Sequence, residues 1–521
     1  MNFDILAGSV LYRLLGRALG GLQTAARQSA LGRLTAWVIA ATRAFAGASV
    51  IVRACTCVAD RFGNGLRDSR IIGRLLREDT AGRYRERGVL FRLYTMALSG
   101  VRRLYRTLGF DRLFAGSVFL QTWVWAVLVM ALLPLLPTMA VLGLVLVSGG
   151  SLLLAMLQDT QRALAYTSLN KYVWFYMFVY AMATLTSVTV RGSLPVGLIT
   201  VSFVGFFHVL VSGIQTLRQV RFLLGAMAFT GAAVAIYGIL QFLSPSTFAT
   251  AWLDADMFDF AMRVYSTLAN PNVLGTYFLL VIPLAFAGLL ISRTNQGRLY
   301  FLVTAGLMCV CLVLTYSRGA YLGLLFAAAV FLVLLDRRFI VPGILAVIVI
   351  FLMMPGAILH RILSIGDLAD TSTSFRVFIW MGTVSMLRDY WFSGVGPGEA
   401  AWGLVYPAYA FHSIVSPHAH NLFLQIMVDA GAPGLFVFLA VLYQYFKATF
   451  AALRRRVTGA QRTLVIASIA SVVGFLVQAM TDYTFYNFRV MLLFWGVLAV
   501  GVIATRYDKL LEGEVLHDSG T

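Results

Sequence analysis

The sequence predicts an all-α, polytopic membrane helix bundle, and three observations predict it. The 521-residue chain is 60% hydrophobic and only 12% charged. Its apolar runs recur through most of its length, and none shows the period-2 alternation of a membrane barrel. A bilayer core about 30 Å thick takes on the order of 20 apolar residues per helix. Lipid offers no partners to an open sheet edge, so such runs must be helical.

The first 113 residues stand apart from this pattern. They hold 19 arginines, no lysine and 7 acids, a net +12 of the chain's +19. Leu11-Tyr12-Arg13-Leu14-Leu15 and Val89-Leu90-Phe91-Arg92-Leu93-Tyr94 mix arginine with bulky apolar side chains at helical spacing, the pattern of an amphipathic arm on a membrane surface. Membrane lipids are therefore the expected partner of this arm. Nucleic acid is not, since neither stacking platforms nor a binding motif accompany the charge. No signal-peptide pattern is visible ahead of the arginine-rich residues, and the arm is expected in the cytoplasm.

About twelve spans follow, at 114–133, 138–157, 172–190, 196–214, 222–243, 273–292, 299–316, 320–335, 339–358, 433–451, 463–480 and 489–505. Together they form a transmembrane domain over 114–505, with 506–521 as a tail. Pro134 and Pro137 split the first apolar block into a hairpin, because proline ends a helix near its own position. With the arm inside, the cytoplasmic loops carry Arg162 and Lys171, Arg218 and Arg221, Arg293 and Arg298, Arg337 and Arg338, then Lys447, Arg454, Arg455, Arg456 and Arg462. The opposite loops hold single arginines and most of the acids, as the positive-inside bias requires, so both termini are expected in the cytoplasm. Two external segments are long, 244–272 and 359–417. The second joins the ninth and tenth spans and is rich in Trp, Tyr, Gly and Pro, a composition suited to an ordered lid. Cys55, Cys57, Cys309 and Cys311 lack zinc-ligand spacing and read as small packing residues.

Candidate chemistry sits on the external side. His418-Ala-His420-Asn421 lies between the long polar loop and a span, where an imidazole is costly unless paired or functional. Arg318, in Tyr316-Ser317-Arg318-Gly319-Ala320, occupies a tight external turn against the charge trend, which calls for a local anion. Arg376, in Ser374-Phe375-Arg376, faces the same compartment. One histidine and two arginines on one side point to acid/base chemistry on a phosphorylated substrate.

Four blocks in order resemble the O-antigen ligase and O-antigen polymerase superfamily of bacterial glycan-assembling membrane proteins. They are Arg263-Val-Tyr-Ser-Thr-Leu-Ala-Asn270-Pro271-Asn272 with Gly275; Tyr316-Ser317-Arg318-Gly319-Ala320; Arg376 with Trp380, Met386, Asp389 and Gly394-Val-Gly396-Pro397-Gly398; and His420-Asn421 followed by Gly431-x-x-Gly434. Leu435 stands where the ligase form often has threonine, so ligase and polymerase both stay open. The arginine-rich arm has no counterpart in the family's common core.

The resemblance implies a glycosyltransferase of the bacterial plasma (inner) membrane. It moves glycan from an undecaprenyl diphosphate-linked donor to a hydroxyl of a glycan or lipid-glycan acceptor at the outer face, with inversion and without cofactor or metal, alongside other polysaccharide-assembly proteins. In that scheme His420 is the general base, and Arg318 and Arg376 stabilise the diphosphate, forked guanidinium donors matching phosphate oxygens. Arg263, Asn421, His418, Asn270 and Trp380 are the expected substrate-binding or supporting residues. Each has a plainer reading too: His420 capping a helix, Arg318 snorkelling to the interface, Arg376 on a solvated loop, Asn270-Pro271-Asn272 as a turn and helix start. Asp254-Ala-Asp256 has a metal-like spacing, but it is a weak signal; His412, His418 and His420 lack a nearby cysteine or carboxylate to complete a zinc set. The alternative from another class is a lipid-linked oligosaccharide flippase, which would place its charges near the midplane on broken helices, often in two repeated halves.

Overall fold

The structure is a computed structural model that describes residues 89–244, 263–336, 343, 371–455 and 459–506. Among the described residues all regular structure is helical, and eight helices are long and apolar enough to cross a membrane. The chain is an all-helical, multi-pass membrane bundle.

Among the described residues the helices α1 (Val89–Thr107) and α2 (Phe110–Leu113) precede the first apolar helix. In α1 the apolar side chains Leu93, Met96 and Leu104 stay exposed while Arg102 donates to the Met156 carbonyl, 2.6 Å away. The helix thus lies against the bundle with an apolar face uncovered.

The apolar helices are α3 (Thr122–Leu132), α4 (Thr138–Gln158), α5 (Asn170–Leu185), α6 (Val190–Gly213), α7 (Leu217–Leu243), α8 (Pro271–Ile291), α9 (Asn295–Val313) and α10 (Arg318–Leu335). After the undescribed stretch come α11 (Thr371–Tyr390) and the short α12 (Glu399–Val405), then α13 (Leu422–Arg454), α14 (Gly459–Ala479) and α15 (Phe488–Ala504). The helices α8, α14 and α15 are buried along nearly their whole length and form the centre. Exposed apolar side chains on α9 and α10, such as Leu302, Val303 and Phe326, suit a helix surface in contact with lipid. The helices α10 and α14 cross closely because Gly323 and Gly474 carry no side chain: a Cβ on Gly323 would stand 2.6 Å from the Gly474 carbonyl oxygen. Small residues at such crossings let membrane helices pack backbone to backbone.

Several expected boundaries move. The span expected at 114–133 becomes α-helical only at Thr122, because Val118–Leu120 forms a 3-10 turn capped by Ser117. The span expected to end at 190 stops at Leu185, and Thr189 caps a new helix by accepting from the Gly192 N–H. The span expected from 433 begins at Leu422, and Ala430 and Gly431, just before Pro433, mark a break inside one long element. The span expected at 339–358 lies almost wholly outside the described residues, and so does most of the arm.

The long segment expected to be external is, among the described residues, far from a bare loop. From Thr371 it is mostly helical, and it docks on the break in α13 through Ala432 N–H to the Trp391 carbonyl and Val395 N–H to the Val428 carbonyl, each 2.7 Å. Gly431 has φ +66°, and a Cβ there would meet the Phe392 carbonyl oxygen at 1.8 Å, so only glycine fits. The glycine-rich 394–398 stretch is a structural strap: the Val395 carbonyl accepts from Val188 N–H and from Ser187 Oγ, each 3.0 Å, which ties the segment to the α5–α6 turn.

Candidate active site

The start of α8, the α9–α10 turn, α11 and the end of α14 meet at one end of the bundle around a cavity of about 320 Å³. Arg263, Arg318, Arg376 and Trp380 all line it, together with Asn272, Thr373, Gln478 and Asp482. Four of the sequence-predicted site residues therefore converge on one space.

Local structure explains each placement. Arg263 donates through Nε to the Thr315 carbonyl at 3.2 Å and through a terminal nitrogen to Asn272 Oδ1 at 3.0 Å, while Val264 N–H reaches the Leu314 carbonyl. These bonds fasten it to the turn that carries Arg318. Arg318 is the first residue of α10, where its charge opposes the positive end of the helix dipole. An anion in the cavity would offset that. On α11, Thr373, Arg376, Val377 and Trp380 follow the i, i+3, i+4, i+7 spacing of one helix face and all line the cavity. The expectation of Arg376 on a loop is thus corrected to a helix face. The indole N–H of Trp380 and Oε1 of Gln478, both on cavity-lining residues, have no hydrogen-bond partner among the described residues.

His420 stands at the edge of this cavity with Nδ1 3.2 Å from Asp482 Oδ1. Burial pushes the Asp482 carboxyl up, but the His420 hydrogen bond and the charges of His420 and Arg376 outweigh it and hold the group below the usual carboxylate range. An ionised Asp482 only accepts, so in the neutral imidazole the proton sits on His420 Nδ1, facing Asp482 Oδ1, and Nε2 keeps its lone pair. That tautomer is the one a general base requires. Sequence reading missed Asp482. Its signal was an acid in the short turn after a span, at the same end as the arginines.

The neighbouring residues hold His420 in place. Its φ is +46°, a left-handed conformation that a non-glycine residue keeps only when its surroundings impose it. Ser416 Oγ donates to the His418 carbonyl at 2.7 Å, and Ala419 N–H donates to Gln425 Oε1 at 2.8 Å. Asn421 caps α13 by accepting from Phe423 and Leu424 N–H, and its Nδ2 donates to the Met480 carbonyl at 2.7 Å. Asn421 therefore joins the His420 turn to the Asp482 turn. Asn270 likewise caps α8, accepting from Asn272 N–H at 2.8 Å, and does not line the cavity.

His418 is buried, stacked on Tyr486 at 5.0 Å, and its Nδ1 accepts from His420 N–H at 3.3 Å. Burial first, then the His420 and Arg376 charges, push its pKa down to about 4, so it stays neutral near pH 7. His418, His420 and Asp482 place donor atoms within 4.8 Å of one another, so a carboxylate does stand beside the two histidines, contrary to the sequence reading. Both Nδ1 atoms already have hydrogen-bond partners, and the three cavity arginines favour an anion over a cation. His412 packs beside Phe378 and is not one of these three donors. Asp254 and Asp256 lie outside the described residues.

Residues 303–439 match the O-antigen ligase family. The match spans Arg318, Arg376, Trp380, His418, His420 and Asn421, while Arg263 and Asp482 lie outside it. It supports assignment to the O-antigen ligase and polymerase superfamily, and with it a membrane glycan-assembly function of ligase or polymerase type. No curated protein matches the chain.

Proposed function

We propose that the protein is a membrane glycosyltransferase that moves glycan from an undecaprenyl diphosphate-linked donor to a hydroxyl of a glycan or lipid-glycan acceptor. The observation that carries this reading is a three-arginine cavity beside a His420–Asp482 pair. The diphosphate binds Arg263, Arg318 and Arg376, whose fixed charges take the part a divalent metal plays elsewhere. The acceptor oxygen attacks the anomeric carbon and its proton passes to His420 Nε2. The bond from that carbon to the diphosphate oxygen breaks, and the electron pair leaves with the lipid diphosphate. A single displacement of this kind inverts the anomeric carbon. Asp482 keeps the imidazole in the accepting tautomer and stabilises the imidazolium that forms.

The polyprenyl chain enters sideways from the outer leaflet of a bacterial plasma membrane, and α11 with the strap covers the sugars. Both termini lie in the cytoplasm. The flippase alternative is disfavoured because the arginines sit on turns and a lid helix at one end of the bundle. The test is incubation of purified protein with a defined undecaprenyl-diphosphate oligosaccharide. Polymer laddering identifies a polymerase and a single transfer to another acceptor a ligase; donor that crosses the bilayer without a new glycosidic bond overturns the reading.

A further inference from the structure

A second, larger cavity of about 570 Å³ lies at the opposite end of the bundle, between the α4–α5 and α6–α7 connections and the end of α15. Its polar lining includes Asp159, Gln161, Arg162, Gln215, Thr216 and Arg506. Arg162 reaches only the Leu120 carbonyl, at 3.4 Å, and Arg506 has no side-chain partner among the described residues. Asp159 does not pair with either: its carboxylate accepts from Gln161 N–H at 2.8 Å and fixes the turn. The cavity also opens beside the first turn of α7, whose cap residue Thr216 lines it, so the positive end of a 27-residue helix adds to both guanidiniums. Val211, Ile214 and Ile503 supply an apolar wall.

We propose that this cavity binds a phosphate-bearing anion, the headgroup of an anionic phospholipid or free phosphate. Two arginines with no acidic partner among the described residues, amide donors and a helix start are a phosphate-recognising set, and the apolar wall suits an acyl chain beside it. Burial pushes the Arg506 guanidinium below its usual range, and a bound anion would reverse that. A smaller space of about 170 Å³ at the same end repeats the chemistry: Arg221 and Arg293 line it, and the buried Arg221 Nε has no hydrogen-bond partner among the described residues. The proposal is independent of the transfer reaction, since none of these residues lines the candidate active site.

The test is native mass spectrometry of the full chain released from detergent with phosphatidylglycerol or phosphatidylcholine, alongside thermal-shift titration with inorganic phosphate. Phosphatidylglycerol adducts on the wild type that fall roughly tenfold in Arg162→Gln/Arg506→Gln support the lipid source. A phosphate-dependent thermal shift lost in the same variant supports the free anion. Ala163→Trp, which crowds the cavity while keeping both charges, should weaken the same binding, and it guards against a folding defect in the double variant. Equal anion binding by wild type and both variants overturns the proposal. So does binding that appears only when the chain is ended after Arg506, since its own acidic tail would then be the occupant.

Discussion

Replacing Asp482 with asparagine tests the reasoning about the catalytic pair without changing its size. In the native pair the carboxylate accepts from His420 Nδ1 across 3.2 Å, and Asp482 is only 9% exposed in its side chain. A hydrogen bond to a charged acceptor in such a place contributes about 1.5–3 kcal/mol, which alone sets the wanted tautomer ahead by roughly 10- to 150-fold. The asparagine amide can turn to donate, which moves the imidazole proton to Nε2 and blocks proton uptake there. The stabilisation of the imidazolium is lost as well. The combined fall in turnover should be on the order of 10²- to 10⁴-fold, the range of a general base. Donor affinity should hold or improve slightly, because the arginines remain and a negative charge has left their cavity. The assay is single-turnover transfer from a fluorescent lipid-diphosphate oligosaccharide, with donor affinity measured separately. Turnover within about threefold of wild type would refute the pair's role, and lost donor binding would mean that Asp482 serves the cavity's structure instead.

Arg318→Ala and Arg376→Ala should each weaken donor binding as well as transfer, and lysine at either position should restore only part, since the charge returns without the fork; donor titration of purified variants measures this. His418 titrates lower in the fold than in the unfolded chain, so its contribution to stability is full above about pH 6.5 and is lost as pH falls towards about 4, by up to about 3 kcal/mol. His418→Asn should therefore flatten the decline of Tm over that window, read by scanning fluorimetry in detergent. Gly431→Ala should lower Tm and folded yield by chromatography, because its Cβ would strike the Phe392 carbonyl and its φ is left-handed. Impermeant thiol labelling of single cysteines in a background without native cysteine should reach Glu399→Cys from outside only and Thr505→Cys from inside only.

What the sequence revealed and what it hid divide along physical lines. The spans were legible because apolar runs of bilayer length have one solution in lipid, and Arg318 was legible because it broke the charge trend. Helix α11 was read as loop because its hydropathy is mixed: one face meets a polar cavity, the other buries Ile379 and Met386. Asp482 stayed hidden because its partner is 62 residues away and no periodicity reports a contact of that range. The capping role was expected of His420, but the structure gives the cap to Asn421, which also ties to Met480. The glycines at 394, 396 and 398 are likewise explained only by their long-range neighbours, the break in α13, Ser187 in the α5–α6 turn and Val196 on α6.

The central claim is that binding and proton transfer are divided between the arginine cavity and His420. The most direct test measures donor affinity and transfer yield together for His420→Ala and Arg318→Ala, each confirmed as monodisperse in detergent. His420→Ala is predicted to bind the undecaprenyl-diphosphate glycan like wild type while transfer falls at least about a hundredfold, and Arg318→Ala to lose both. Near-wild-type transfer by His420→Ala, or normal binding and transfer by Arg318→Ala, would contradict the account.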